Sequence, residues 1–226
     1  MSERPLDRTA LLAFIAADPA LAALLAEARA AESDAAHDAG HLLRVALWTL
    51  RCGPGSPARL AVAAALLHDA VHVPKDHADR PRASERSAAH ACGRLVALGF
   101  SAGEAAEAAA AIRDHGFSRG AVPTSALGRA LQDADRLDAL GAIGIMRVLA
   151  TGAAMGAAFH DADDPWARRR PLDDRAFSVD HFFTKLLRLP ETMHSKVGRE
   201  EAARRALVMR AFLDRLGDEL GEPPPR

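Results

Sequence analysis

The sequence predicts an all-α protein, and three of its features do so. Its 226 residues are 49% hydrophobic and rich in alanine, with no tyrosine and few β-branched runs, so helices have good formers and strands little to be built from. Apolar residues recur at helical spacing in successive segments. Serine, aspartate, proline and glycine stand where such helices should start and stop.

Residues 7–17 and 19–32 read as two short amphipathic packing helices parted at Asp18-Pro19, where the aspartate caps and the proline opens the second. Ser33-Asp34 introduces a helix from about Ala36 to Arg51, with His37, His41, Val45 and Trp48 on one inward face. The next helix is apolar from Leu60 to Leu67 and ends in His68-Asp69. Ser56 is its expected N-cap, Pro57 its first residue and Pro74 its stop. A polar loop, Val71 to Arg80, follows.

Ser84 to Gly99 predicts a helix, and Ser101-Ala-Gly-Glu104 is a capping box that opens another, running to about His115-Gly116. A helix from Ser125 carries Leu131, Ala134, Leu137 and Asp138, with Asp133 and Asp135 pointing to different sides. The glycine- and alanine-rich stretch to Ala154 suits close packing. His160 to Arg175, with the run Arg168 to Arg170, reads as a lid-like or disordered polar loop. Ser178 is the expected cap of a helix bearing His181, Phe182, Lys185, Leu186 and Leu189 and ended by Pro190. A last helix spans about Gly198 to Leu220, with Leu207, Met209, Phe212, Leu213 and Leu216 inward, before a frayed tail.

A formal net charge of −1 gives no bulk field for nucleic acid or membrane, so recognition of phosphate must be local. Two cysteines, Cys52 and Cys92, are too few for a disulfide framework and suit a reducing compartment. The start lacks an apolar signal core, and the weakly apolar stretch from Gly141 to Phe159 is broken by Arg147. The expectation is a cytoplasmic, single-domain protein.

The chemistry starts at His68-Asp69. A carboxylate at the end of an apolar helix needs a cation or a hydrogen-bond network, and a metal ion is one such partner. His37 and His41, one turn apart, resemble a zincin pair superficially, but Asp38 replaces the glutamate base and Gly40 weakens the helix between them. Spacing alone does not choose between His37 and His41, or between Asp133 and Asp135. His115, ahead of Gly116-Phe117-Ser118, can reach a phosphate or a second ion. The chain keeps only three lysines, Lys75, Lys185 and Lys196, so one near a site merits notice.

His41 before Leu-Leu-Arg-Val, His68-Asp69, and Asp135 in Ala134-Asp-Arg-Leu137 resemble the H…HD…D signature of HD-domain metal-dependent phosphohydrolases. The segments Gln132 to Ile145 and His181-Phe-Phe-Thr-Lys185 resemble its small stand-alone bacterial members, over about residues 30–216. The resemblance implies a compact helical bundle, with an HD-type domain over 33–220 forming one unit with helices 1–32, and a tail at 221–226. It implies one divalent cation held by His41, His68, Asp69 and Asp135, with His68 and Asp69 catalytic and His37 and Asp133 in supporting roles. Two imidazoles and two carboxylates would fill a tetrahedral zinc shell, so a hydrolytic site favours manganese, magnesium, iron or cobalt. Lys75, His115, Arg136, His181 and Lys185 are the expected substrate contacts, and the substrate is a nucleotide. The competing readings are a nucleotide-binding regulatory module without turnover, and a dinuclear iron oxygenase using His72 and His115. A homodimer is compatible with the sequence.

Overall fold

The computed structural model describes residues 7–31, 39–71, 82–116 and 119–225. His37, His72, Pro74 and Lys75 lie outside them. Among the described residues the regular structure is helical, with one isolated bridge between Ala158 and Phe177. The chain divides into two compact units, Met1–Arg136 and Leu137–Arg226.

In the first unit α1 (Arg8–Ala17) and α2 (Pro19–Ala30) part at Asp18, whose carboxylate accepts from the Ala20 and Leu21 amides, as the Asp-Pro signal predicts. α3 (Ala39–Cys52) turns His41, Leu43, Val45 and Ala46 into the core, while Trp48 stays half-exposed beneath the Arg51 guanidinium. α4 (Ala58–Leu67) is buried at every residue from Leu60 to Leu67, and α2, α3, α5 and α6 pack against it. A helix apolar on all sides is stable only when enclosed on all sides. Its start lies one residue later than expected: Pro57 occupies the cap position and no side chain caps the helix.

α5 (Ala83–Ala97) and α6 (Ala102–Asp114) pair closely through small residues, Ala88 and Ala91 on one and Ala105, Ala108 and Ala111 on the other. Ser101 and Glu104 form the complete capping box. α7 (Ala126–Asp138) begins behind Ser125, whose hydroxyl accepts from the Gly128 amide. A Cβ on Gly53 would stand 2.6 Å from that of Ala130, so the glycine is what lets the chain after α3 approach α7.

In the second unit α8 (Gly141–Ala154) packs on α10 (Lys196–Leu220), and a Cβ on Gly144 would stand 2.7 Å from the Met209 methyl. The inward stripe of α10 is Ala202, Ala206, Met209 and Leu213, whereas Leu207, expected inside, is 67% exposed. The helix beyond Ser178 also differs from expectation. α9 (Asp180–Thr184) has five residues, Lys185 leaves helical geometry at φ −136°, and Leu186–Thr192 form a 3-10 turn that contains Pro190. Proline cannot supply the amide an α-helix needs and clashes with the carbonyl four residues back, so the tighter winding replaces it. His181 and Lys185 therefore do not share a continuous helical face.

The stretch from His160 to Arg175 is wired rather than loose. Asp164 accepts from the Arg168 and Arg169 amides, and Arg170 grips fully buried Asp180 with two nitrogens at 2.5 and 3.0 Å while lying over Phe177. Arg170→Ala should cost about 3 kcal/mol or more by stranding that carboxylate, read as a drop in the urea midpoint at unchanged slope. A change under about 1 kcal/mol would show that the pair is not needed. The segment after α10, read from sequence as frayed, is tied by the Trp166 indole to the Glu222 carbonyl and by Arg168 to that of Pro223. No single described helix is long and apolar enough to cross a membrane.

Candidate metal centre

Two helices of the first unit and the ends of two more converge their polar groups. His41 comes from the first turn of α3, His68 and Asp69 follow the last residue of α4, His115 follows that of α6, and Asp135 lies in α7. The Nε2 atoms of His41 and His68 are 3.2 Å apart. Asp69 Oδ2 stands 3.7 and 3.5 Å from those two nitrogens, and Asp135 Oδ1 stands 3.8 Å from each. Asp69 Oδ1 faces the other way, 3.8 Å from Nε2 of His115. The imidazoles of His41 and His68 are fully buried, while the Asp69 and Asp135 side chains are 37% and 26% exposed. The carboxylates thus form the open side of the cluster.

Two of the histidines are built alike. His68 and His115 are C-caps with right-handed backbone, and each donates Nδ1–H to the carbonyl three residues back, Ala65 at 2.7 Å and Ile112 at 2.6 Å. That bond uses a carbonyl orphaned at the helix end and fixes the tautomer, leaving Nε2 as the ligating or proton-accepting atom.

Electrostatics follow from this crowding. Burial alone would lower the pKa of His68, but the charge of Asp69 and the nearness and charge of Asp135 outweigh it and raise it to about 9. Burial likewise opposes ionisation of the two carboxylates, yet the surrounding imidazoles hold Asp69 and Asp135 well below the ordinary range. Burial, and then the charge on His68, push His115 down, so it stays neutral.

These groups fit a divalent cation. Cis nitrogens each about 2.1 Å from one ion stand roughly 3.0 to 3.4 Å apart, which brackets the His41–His68 spacing. His41, His68 and Asp135 form one set able to hold an ion, and His68, Asp69 and His115 another.

Of the other expected contacts, Asp133 is wholly buried and outside both sets, and Arg136 is buried, with a pKa lowered by burial against the raising charges of Asp133 and Asp135. His181, in the second unit, bonds Asp174 through Nδ1 at 2.7 Å, and Lys185 sits at the break after α9. Sequence reasoning passed over Gln132, fully buried one turn before Asp135, which donates to the carbonyls of Asp114 and Ala121. The available signal was its register, one turn before Asp135 on the same face of α7.

The chain is similar to known proteins in sequence and in fold. The HD domain model matches residues 38–140. YpgQ of Bacillus subtilis (strain 168), an uncharacterized protein, is 31% identical over 195 residues, covering 84% of this chain and 87% of its own. A crystal structure of B. subtilis YpgQ in complex with ADP superposes with a TM-score of 0.67 at 26% identity, covering 90% of this chain and 94% of that one. An HD-superfamily hydrolase from Bacillus thuringiensis gives 0.61 at 27% identity, covering 95% and 96%. The chain belongs to the HD-domain family, whose domain implies binding of a divalent metal ion.

Proposed function

We propose that the chain is a metal-dependent phosphohydrolase that cleaves a phosphoester or phosphoanhydride bond of a nucleotide. The observation that carries this reading is the convergence of His41, His68, Asp69 and Asp135, with two imidazole nitrogens at ligand spacing and the carboxylates on the open side. The ADP complex of YpgQ supports the nucleotide. Manganese, magnesium, iron or cobalt suits the donor set better than zinc.

A divalent cation in that set supplies charge neutralisation for a phosphoryl oxygen and a lowered pKa for water. The chain's own residues do the rest. The helix-end bond to Ala65 keeps Nε2 of His68 directed at the cluster. Asp69 Oδ1, facing away from His41 and His68, accepts the proton of the attacking water as its oxygen bonds phosphorus. Neutral His115 takes that proton at Nε2 and passes it to the leaving oxygen as the old P–O bond breaks. Arg136, next to Asp135 on α7, is the proposed donor to the phosphate tail.

The placement of His115 beside Asp69 also favours a second reading, a dinuclear iron oxygenase, which requires two ions per chain. One assay separates them: metal content per chain, together with a manganese-supplemented screen of nucleoside mono-, di- and triphosphates and cyclic nucleotides that resolves phosphate from pyrophosphate. One ion per chain and chelator-sensitive hydrolysis are the expected result. Hydrolysis that survives exhaustive chelation overturns it, and tight nucleotide binding without turnover would assign a regulatory module.

A further inference from the structure

α6 ends without the left-handed glycine that closes many helices. Its C-cap, His115, keeps right-handed geometry at φ −71°, and Gly116 is not among the glycines with positive φ. Two of the last four carbonyls of the helix are instead taken by side chains. His115 Nδ1 donates to Ile112, and the Gln132 amide donates at 2.8 Å to Asp114, immediately before His115. The same amide nitrogen donates at 3.0 Å to Ala121, beyond the segment His115 opens. One fully buried NH2 group therefore clamps both ends of that segment. Gln132 stands three residues before Asp135 on α7, so one face of one helix supplies both the carboxylate of the cluster and the clamp.

We propose that Gln132 is a positioning residue that sets the place of His115 beside Asp69, an inference that rests on the catalytic reading of the cluster. Without the amide, two carbonyls lose their donor in a part-buried setting, where such groups are costly to leave unbonded. The helix end then has one ready repair: Gly116 turns left-handed, its amide closes the helix, and His115 swings away from Asp69 Oδ1. His68, at the end of α4, meets the His115 ring edge-on at 5.0 Å but is held by its own bond to Ala65 and keeps its place.

The test uses Gln132→Glu, which keeps the shape and removes both donors, and Gln132→Asn, which keeps the amide but shortens its reach. Long-range nitrogen–proton spectra of the histidine rings in metal-free protein read position directly, and manganese affinity and nucleotide kinetics read the consequence. In both variants the His115 Nδ1–H signal should be lost or shifted while that of His68 stays. Manganese affinity should stay within about threefold, and kcat should fall by roughly 10- to 100-fold, more in the glutamate variant. Folded variants with an unshifted His115 signal overturn the proposal, whatever their melting temperature. Because the ring spectra need no turnover, they decide the point even if the wild-type protein hydrolyses no nucleotide, a result that would count against the proposed function alone.

Discussion

Asp69→Asn should abolish hydrolysis while leaving the helices intact. The exchange keeps the shape of the side chain and removes its charge at the place where two roles meet, Oδ2 toward His41 and His68 and Oδ1 toward His115. Loss of a general base typically lowers rate by about 10²- to 10⁴-fold. Loss of a ligand should weaken metal binding by more than the roughly 10- to 100-fold seen when only a supporting bond is removed. The charge of Asp69 is also the foremost of the influences that raise the pKa of His68, so the imidazole should titrate lower in the variant. Metal content, kcat/KM and far-ultraviolet circular dichroism on one preparation are the check. Wild-type metal content and turnover would remove Asp69 from the centre.

Metal affinity should rise steeply with pH. In the metal-free protein His68 carries its proton up to about pH 9, and an ion that binds Nε2 must displace it. Between about pH 6.5 and 9 the affinity should climb close to tenfold per unit, or about 1.4 kcal/mol, and then flatten. Without metal the sign reverses. A folded pKa above the unfolded value of 6.5 adds stability that is fully present below pH 6.5 and is lost as pH rises through 9. The gap in Tm between manganese-loaded and metal-free protein should therefore widen from pH 6.5 to 8.5. A constant gap, with no proton released on titration in buffers of different ionisation enthalpy, would mean that His68 is neutral before the ion arrives.

How much of this could be read from residues alone depends on whether the cause was local. Asp18-Pro19 parts two helices because both residues act within one turn, and Ser101 with Glu104 closes a capping box for the same reason. The burial of α4 could be read because no polar residue interrupts it between Leu60 and Leu67. By contrast, the short α9 depends on how Pro190 is absorbed downstream, and the exposure of Leu207 depends on which side of α10 meets α8. The proximity of His115 to Asp69 joins residues 46 positions apart in the chain, a relation that no window of sequence contains. Resemblance to a family named His41, His68, Asp69 and Asp135; Gln132 needed the bonds that only the fold displays.

The enclosure of α4 also constrains how such a protein can diverge. Ala61, Ala63, Ala64 and Ala65 are each 0% exposed, so any larger side chain there must push a neighbouring helix, at about 1 to 3 kcal/mol per replacement. A shift of this helix would carry His68 and Asp69 with it. Change is easier at residues that do not hold up the imidazoles, so the enclosed helix makes the His68-Asp69 end the part of this chain least free to vary.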